Sequence, residues 1–587
     1  MVYRDSRQAP RKIHVARKIA KFLPASQPKA AAPQPGLWEG RLRPLLDGRA
    51  PMLALALILI GSLRIASTYT RFSFTADEPG HFACGLEYLQ RHVYRFEAQH
   101  PPLARAAMAL LPYLDGSRLT GLSPQDREGM AVMYQRGNPQ RTLVLMRLGI
   151  LPFFVLAGLV VFWWARHSFG PAVAVIATAL FTMLPSVLAH AGLATTDMPF
   201  TACLAAAYLC MLLWAERPTT RRSLLFGAAC GLMVLTKFTA IVYFPAGVAL
   251  ALLAWMLGTG PGWWREVVAL GKARAPGFGI AVITGALVVW AGYLFSFGRI
   301  SGAGIYVPAP ELFDGILWVQ RHNREGHMAY LFGQVSRTGW WYYFPVVLAL
   351  KTPIAFLLLL APGAWLCWKG GTRARLPLAF ALGVLLPAMA GHINIGVRHV
   401  LPVYVAFSIM AAVAVVKLTE TAAGGKWAGA AVAAALIWLL ATGVWRHPYY
   451  LAYFNETVGS EPEKVLVDSD LDWAQDYLEV ATRLRQLGVT TASFGTTPWI
   501  DAYFRIWPGI PPGPGVRAMF PAEGWTIISP TADKLNQYGL NYRYPNLKPW
   551  FDTIPPTERV GAILLYYVPH GAIRRKVQSD PTTPGGR

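Results

Sequence analysis

Apolar runs of bilayer length recur along the sequence and leave few folds open to it. Hydrophobic residues make up 54% of the 587 residues and charged residues only 14%, whereas soluble domains carry about 25% charge. A helix needs roughly 20 apolar residues to cross the hydrocarbon layer. The runs lie at 51–70, 143–165, 171–190, 197–214, 223–236, 238–257, 277–297, 342–367, 376–391, 399–416 and 427–445. The sequence therefore predicts an α-helical polytopic membrane protein with about eleven spans.

Basic residues mark one side of the predicted membrane. When the spans are threaded alternately, the basic loops fall on the same side as the basic N-terminus, as the positive-inside rule requires for a cytoplasmic side. These loop residues are Arg166, Arg217, Arg221, Arg222, Arg265, Lys272, Arg274, Lys369, Arg373, Arg375, Lys417 and Lys426. The net charge of +23 thus indicates topology rather than nucleic acid binding. We expect a multi-pass protein of the cytoplasmic (inner) membrane.

The opposite, outer side receives the polar segments. They are 71–140, 191–196, 298–341, 392–399 and the chain after 446. The predicted domains are a disordered basic cytoplasmic tail at 1–48, a membrane domain at 49–446 with outer loops 71–140 and 298–341, and an outer α/β domain at 447–587 with a disordered C-terminal end. In this last domain we predict strands in VLVDSD (465–470), TTASFGT, WTIIS and AILLYYV, and an amphipathic helix ending at Gly488.

The sequence motifs do not support a cysteine-based site or a nucleotide-binding site. The five cysteines form no CxxC pair and mostly lie in apolar runs, so we expect neither a disulfide framework nor a zinc site. No glycine-rich phosphate loop is present, which argues against a nucleotide-driven pump.

Adjacent carboxylates follow the first span in TADEPGH, at Asp77 and Glu78, with His81 and His100 nearby in the sequence. Pro79 suits the first turn of a helix, where the helix dipole favours anions. One interpretation is therefore an interfacial helix with an acidic cap. The other is a reactive site, because all the conspicuous acids and histidines fall on the outer side.

Cations at membrane depth accompany these acids. Lys351 lies about two turns below the aromatic cluster GWWYYF, and such a depth is typical of a residue that lines a cavity or pairs with an anion; the alternative is a lysine that snorkels to the surface. Arg398 and His399 begin another span on the outer side, as an anion site or a topology marker. Asp197 begins a span after two threonines, as a helix cap or a functional acid.

Carboxylates and cations together suit a reaction on a lipid-linked phosphate. A carboxylate accepts the proton of an attacking hydroxyl, and cations hold the phosphate that leaves. The alternative is a divalent cation bound by Asp77, Glu78, His81 and His100, although the spacing of these residues decides nothing.

TADEPGH at 75–81 with QHPPLAR at 99–105 resembles the first outer loop of polytopic GT-C glycosyltransferases of the protein O-mannosyltransferase and lipid A aminoarabinose transferase type. ATTDMP at 194–199 is similar to the second acidic loop of that group. GWWYYFPVVLALKTP, NIGVRHVLPVY, YYLAYFNE and VDSDLDWAQD are similar to a bacterial branch that depends on a phospholipid carrier. The resemblance spans roughly 50–480 and is specific only as a set of motifs.

This resemblance implies a glycosyltransferase that moves a sugar, with inversion, from a polyprenyl-phosphate donor to an acceptor hydroxyl on the outer face. Asp77 is then the catalytic base and Glu78 its partner, positioning His81 or His100. Asp197 completes the catalytic set, and His81, His100, Lys351, Arg398 and His399 bind substrate. The acceptor is a lipid, a glycan or a protein, although only about 40 residues at 298–341 stand where protein mannosyltransferases carry a β-trefoil domain. The alternatives are a transporter or flippase of a lipid-linked glycan and a scaffold that binds envelope partners.

Overall fold

The computed structural model describes residue 38 and residues 43–259, 262–420, 425–495, 509–516, 521–543 and 548–571. Residues 43–48 of the predicted disordered tail at 1–48 are helical, so that end of the prediction is wrong. Most of the rest of the tail and the predicted disordered end of the chain lie outside these ranges, so both stay predictions.

Helices dominate the described chain and are numbered here in order. They are α1 Arg43–Ala66, α2 Glu78–Arg91, α3 Pro102–Leu114, α4 Gln125–Gln135, α5 Pro139–Phe169, α6 Pro171–Met183, α7 Pro185–Ala191, α8 Asp197–Glu216, α9 Thr220–Val234, α10 Ala240–Thr259, α11 Trp263–Gly292, α12 Pro310–Glu325, α13 Tyr343–Lys351, α14 Ile354–Lys369, α15 Thr372–Met389, α16 Val403–Glu420, α17 Gly425–Trp445, α18 Tyr477–Gln486 and α19 Pro530–Arg543.

The predicted polytopic helical fold is confirmed. Among the described residues, eight helices are long and apolar enough to cross a membrane, or nine if the bent pair α6–α7 forms one span. Two further predicted spans coincide with α9, which has only 15 residues, and with α13 and α14, which are separate helices. By length and composition, the described residues thus contain eight or nine such helices, whereas the sequence predicts about eleven spans.

Proline explains where two of the predicted spans break. Leu184 and Thr352 both have extended backbone conformations, and each precedes a proline. The proline ring disfavours the helical conformation of the residue before it, so α6 ends before Pro185 and α13 before Pro353. The axes of α6 and α7 differ by 66°. The second break leaves Lys351 at the end of a helix, where its side chain is buried.

The most buried spans lead to the segments that carry the conspicuous polar residues. In α8 and α16 the buried shares of the apolar window are 78% and 72%, against 6% in the peripheral α11. Asp197 begins α8, and Arg398 lies in a short 3-10 turn, Val397–Val400, just before α16. Both residues are therefore attached to the helices that are packed most tightly in the bundle.

Two small hairpins and a five-stranded sheet complete the fold. The hairpins pair β1 Phe297–Arg299 with β2 Tyr306–Pro308, and β3 Ala329–Leu331 with β4 Gln334–Ser336. The sheet contains β5 Ala492–Gly495, β6 Gly515–Val516, β7 Gly524–Ile528, β8 Glu558–Val560 and β9 Ile563–Val568, in the order β6-β5-β7-β9-β8. The strand β5 is parallel to β6 and β7, whereas β9 is antiparallel to β7 and β8. This sheet with α18 and α19 confirms a small C-terminal α/β region.

The predicted strand at 465–470 is wrong. Residues Asp468–Asp470 form a 3-10 turn, and Asp468 has a left-handed φ of 61°. The N–H of Asp468 donates to the Thr531 hydroxyl, and the Ser469 hydroxyl donates to the carbonyl of Ile395. Because these polar groups bond to other parts of the chain, the segment does not pair with a neighbouring strand.

Helices α2 and α3 cross in close contact at Gly85. A Cβ atom at this position would lie 2.1 Å from the carbonyl oxygen of Arg105 and 2.6 Å from the Cβ of Ala109. We therefore expect Gly85→Ala to force the helices apart and to lower the free energy of unfolding by about 1–3 kcal/mol, as overpacking does. Gly271→Ala in α11 is the control, because a Cβ there meets nothing within 4 Å. Thermal unfolding in detergent measures both, and equal stability of the two variants would contradict the close contact.

Candidate active site

An ion pair between Asp77 and Arg398 lies at the centre of the candidate site. Nη1 of Arg398 donates to Oδ2 of Asp77 at 2.9 Å, although the residues are 321 positions apart. The Asp77 side chain retains 38% of its accessible surface and the Arg398 side chain 12%. The pair is thus partly shielded from water, and its carboxylate stays accessible.

The cap interpretation of Asp77 does not hold. Asp77 occupies the N-cap position of α2, but its side chain makes no capping hydrogen bond. Its carboxylate bonds to Arg398 instead. Asp197 is not the N-cap of α8 either, because Thr196 holds that position. Neither acid is placed to satisfy the backbone of its own helix.

Glu78 is buried and anchors the loop that carries Asp77. Its carboxylate accepts two hydrogen bonds from the Arg147 guanidinium, both of 2.9 Å, and the two side chains are 0% and 1% exposed. The backbone N–H groups of Thr75 and Ala194 also donate to it, each at 2.7 Å. The predicted contact of Glu78 with His81 or His100 is therefore wrong, because four donors already surround this carboxylate.

Arg105, and not Glu78, contacts the histidines. Nε of Arg105 donates to Nδ1 of His81 at 3.1 Å, and its other nitrogens bond to Glu97 and to the hydroxyl of Tyr94. The Tyr94 hydroxyl donates to the carbonyl of His100 at 2.6 Å. The rings of His81 and His100 meet edge to face, with centroids 5.0 Å apart. The structure thus brings the two predicted histidines together.

Asp197 forms a second buried ion pair near the first. Its Oδ1 accepts a hydrogen bond of 2.8 Å from Nζ of Lys237, and its Oδ2 is buried without a partner among the described residues. His399 stacks on Phe344, with ring centroids 5.6 Å apart, and its Nδ1 is also unpartnered within the described chain. Asp197 is close enough to Asp77, Arg398 and His399 to influence their protonation.

Lys351 bonds to backbone carbonyls and not to Asp77. Its side chain is buried, and Nζ donates to the carbonyls of Leu451, at 2.8 Å, and Asp470. The ammonium also lies 4.2 Å from the centre of the Phe454 ring. Oδ1 of Asp470 accepts the N–H of Val397 at 3.0 Å, next to Arg398. Lys351 therefore touches the site through Asp470 and neither snorkels nor reaches Asp77.

Electrostatics keep Asp77 ionised and the histidines neutral. Desolvation acts to raise the pKa of Asp77, but the charge of Arg398 and the hydrogen bond from Arg398 outweigh it and leave this pKa below its ordinary value. Burial, reinforced by Arg105, lowers the pKa of His81 to about 3. Burial likewise lowers the pKa of His100, and that of His399 to about 3. At neutral pH the site thus presents a carboxylate and neutral imidazoles.

The alternative divalent cation gains no support from this geometry. Among the described residues, no three His, Cys, Asp or Glu side chains gather as a metal-binding group. Within the suggested set, Glu78 faces Arg147 and Nδ1 of His81 faces Arg105. Two of the four suggested ligands thus already bond to a guanidinium group.

Several residues of the site escaped the sequence analysis. Arg147 and Arg105 lie inside helices, and their positions in the sequence do not indicate that either has a buried partner. Lys237, which pairs with Asp197, lies between two apolar runs, and its place in the sequence does not indicate that partner. His327 lies close enough to Asp77 and Arg398 for their charges to affect its pKa, which burial lowers. Trp473 lies under Arg398, whose guanidinium carbon is 4.0 Å from the ring centre; its motif DWAQD was visible only as part of the family resemblance.

All five polar segments that the sequence assigns to the outer side reach this cluster. They contribute Asp77, the Ala194 N–H, His327, Arg398 and Trp473. The site is therefore assembled from five separate segments, and it forms only when distant parts of the chain pack together.

Comparison with known proteins gives the class of reaction. Residues 141–290 match the family model described as dolichyl-phosphate-mannose-protein mannosyltransferase. This match confirms the predicted resemblance to GT-C glycosyltransferases of the protein O-mannosyltransferase type. The protein is a multi-pass membrane glycosyltransferase.

Solved structures similar to this chain share little sequence with it. ArnT from Cupriavidus metallidurans bound to undecaprenyl phosphate is 14% identical, with a TM-score of 0.46, and the match covers 87% of this chain and 97% of that one. The oligosaccharyltransferase of Archaeoglobus fulgidus in the apo form is also 14% identical, with a TM-score of 0.41, over 78% of this chain and 60% of that one. No curated protein matches the sequence significantly.

The Glu78–Arg147 pair gives a test of the structural role of Glu78. Removing one partner of a buried ion pair leaves the other charge uncompensated and costs about 3–5 kcal/mol. We expect Glu78→Gln to lower the free energy of unfolding by that amount, measured by thermal or SDS-induced unfolding in micelles.

Glu216→Gln is the matched control, because Glu216 pairs with Arg373 at the surface, where such pairs contribute about 0–1 kcal/mol. A Glu78→Gln protein of normal stability that had lost only activity would restore a catalytic role for Glu78.

Proposed function

We propose that the protein transfers a sugar from a polyprenyl-phosphate carrier to an acceptor hydroxyl, with inversion, on the outer face of the cytoplasmic membrane. The observation that carries this proposal is the Asp77–Arg398 pair, which sets an accessible carboxylate beside a guanidinium. The Asp77 carboxylate provides a base and the Arg398 guanidinium provides an anion site. The transfer needs both groups close enough to act on one bound donor and acceptor.

The proposed reaction is a single displacement at the anomeric carbon. Asp77 accepts the proton of the acceptor hydroxyl while the hydroxyl oxygen attacks the anomeric carbon from the face opposite the phosphate. The carbon–oxygen bond to the phosphate breaks, and its electron pair leaves with the phosphate. A phosphate needs no protonation to leave, so one base suffices, and its pKa below the ordinary value ensures that Asp77 is ionised at neutral pH.

Arg398 is the proposed phosphate ligand. Its Nη1 bonds to Asp77 and its Nε to the carbonyl of Ile395 at 3.3 Å, which leaves Nη2 without a partner among the described residues. A planar guanidinium suits the oxygens of a phosphate. The description of the matched family, which names a dolichyl-phosphate sugar, supports a polyprenyl-phosphate donor for this chain as well.

Lys351 has a different proposed role from the one expected. Its ammonium bonds to the carbonyl of Asp470, whose carboxylate fixes the Val397 N–H. We assign it to the support of the turn that carries Arg398, and no longer to direct contact with the phosphate.

The remaining side chains are proposed to bind the sugar and the acceptor. Oδ2 of Asp197 and Nδ1 of both His100 and His399 are buried polar atoms without a protein partner in the described chain. An unsatisfied buried polar atom is unfavourable, so hydroxyl groups of bound substrates would stabilise them. His81, which Arg105 orients, lies between Asp77 and His100 in the sequence and packs on the His100 ring.

The transporter alternative is less well supported than transfer. A carrier presents its site to both sides in turn, near the bilayer midplane, whereas the polar segments here converge at one end of the helices. The matched family is one of transferases. The acceptor class, whether lipid, glycan or protein, stays open within the proposal.

Replacing the proposed base tests the reaction. We expect Asp77→Asn to lower kcat by roughly 10² to 10⁴, the usual effect of losing a general base, while the protein keeps its fold. Transfer from a purified polyprenyl-phosphate sugar measures the rate.

Asp115→Asn is the control for this experiment, because Asp115 pairs with Arg141 at the surface and should retain full activity. Near-normal turnover of Asp77→Asn would remove Asp77 as the base and, with it, the proposed mechanism.

Replacing the proposed phosphate ligand tests the donor. We expect Arg398→Ala to weaken binding of undecaprenyl phosphate by about 1.5–3 kcal/mol, because charge-assisted hydrogen bonds contribute that much. Arg398→Lys keeps the charge but not the planar fork and should restore only part of the affinity.

Arg337→Ala is the matched control. Arg337 is another arginine of the predicted outer loops, and among the described residues it bonds only to a backbone carbonyl, that of Glu325. Lipid-phosphate affinity that is the same in Arg398→Ala as in the wild type would exclude Arg398 from the donor site.

A further inference from the structure

The segment 468–476 of the C-terminal region bonds to both chain segments that carry the central ion pair. On one side, the carbonyl of Trp473 accepts the N–H of Ala76 at 3.1 Å, and the carbonyl of Gln475 accepts the N–H of Ser73 at 2.8 Å. The Ser73 hydroxyl also donates to the carbonyl of Ala474 at 2.8 Å. The backbone that leads into Asp77 is thus held by the C-terminal region.

On the other side, the same segment holds the turn that carries Arg398. Oδ1 of Asp470 accepts the Val397 N–H at 3.0 Å, and the Ser469 hydroxyl donates to the carbonyl of Ile395 at 2.6 Å. Gly396 makes this approach possible. A Cβ there would lie 2.8 Å from both Oδ2 of Asp470 and the Ser469 hydroxyl, and its φ of +93° suits glycine.

Trp473 joins the two sides. The residue is 6% exposed, and its ring lies under the guanidinium of Arg398, with 4.0 Å from the guanidinium carbon to the ring centre. A cation over the face of an indole is attracted by the π electrons, most strongly where water is excluded. One residue thus bonds to the loop before Asp77 and fixes the direction of the Arg398 side chain.

We propose that Trp473 is a positioning residue of the active site, and that the C-terminal region is required for transfer because segment 468–476 sets the geometry between the base and the phosphate ligand. This inference rests on the proposed function and extends it to a part of the chain beyond the membrane domain.

The pH dependence of the reaction should report this positioning. The charged or titratable groups that face Asp77 are Arg398, His81, Asp197 and His327, and Arg398 is the main one that lowers the pKa of Asp77. A lowered pKa keeps the base ionised down to a lower pH. If Arg398 loses its support, the pKa of Asp77 rises, and the acid limb of kcat/KM moves to higher pH.

The experiment uses the full chain, with Trp473→Leu and Trp473→Met to remove the ring face and Trp473→Phe to keep a smaller one. The loss of a cation–π contact predicts a rise of about 2- to 30-fold in the dissociation constant for undecaprenyl phosphate in the aliphatic variants. Trp473→Phe should give a smaller rise, because phenylalanine attracts cations less than tryptophan does. The acid limb of kcat/KM should shift upward in the same order.

Trp550→Leu is the matched control. Trp550 is a buried tryptophan of the C-terminal region that packs with Phe551 and Tyr566, in a cluster separate from the main core. Its loss should lower the melting temperature but leave the lipid-phosphate affinity and the acid limb unchanged. An equal loss of affinity in Trp550→Leu would overturn the positioning role, because it would show that any damage to this region suffices.

An affinity and acid limb equal to those of the wild type in the aliphatic variants would also overturn the proposal. If neither aliphatic variant folds, Trp473→Phe decides, and a wild-type dissociation constant for it overturns the proposal. Binding of the lipid phosphate needs no sugar transfer, so a wild-type protein without transferase activity would refute the proposed function while this binding series still tested Trp473.

Discussion

The buried pair of Glu78 and Arg147 is the interaction on which the candidate site depends. It joins the loop after α1 to helix α5, and the Glu78 carboxylate also accepts N–H groups from Thr75 and from Ala194, before α8. The Arg147 guanidinium donates in addition to the carbonyl of Ser73 at 2.8 Å. A buried ion pair is stable only when its remaining donors and acceptors are satisfied. Here that requirement brings three separate segments together, and Asp77 takes its position from the residue beside it.

The adjacent acids illustrate how one sequence motif divides into two roles. Consecutive residues at the start of a helix point in different directions. Glu78 points inward to Arg147 and loses its accessibility, whereas Asp77 keeps 38% of its side-chain surface and faces Arg398. A fully satisfied carboxylate holds a structure, and an accessible one beside a cation is able to react. The same contrast separates Lys351, which bonds to backbone carbonyls, from Arg398, which keeps one nitrogen without a protein partner in the described chain.

The C-terminal region contributes more than a neighbouring domain would. Its sheet lies after the last membrane helix, yet residues 468–476 bond to the loops before Asp77 and Arg398. In a low-dielectric surrounding, the strength of an ion pair depends strongly on the exact distance and on the exclusion of water. On one side of Arg398, the Trp473 ring fixes the position of the guanidinium and excludes water from it. The polar groups of this segment serve those contacts, which is why it does not form the predicted strand.

The sequence by itself determined the helical membrane architecture, the polar segments that meet at the site, most strands of the C-terminal sheet and the residues Asp77, Asp197 and Arg398 as site candidates. These follow from local properties, namely apolar length, charge bias and motif. Only the tertiary structure decided which proline breaks a helix, since Pro152 lies within the continuous α5 while Pro185 follows a 66° bend. It also decided which acid is buried, and that Arg105, Arg147 and Trp473 belong to the site. The physical reason is that a charge acquires its role from the partner it meets, and these partners lie tens to hundreds of residues away in the chain.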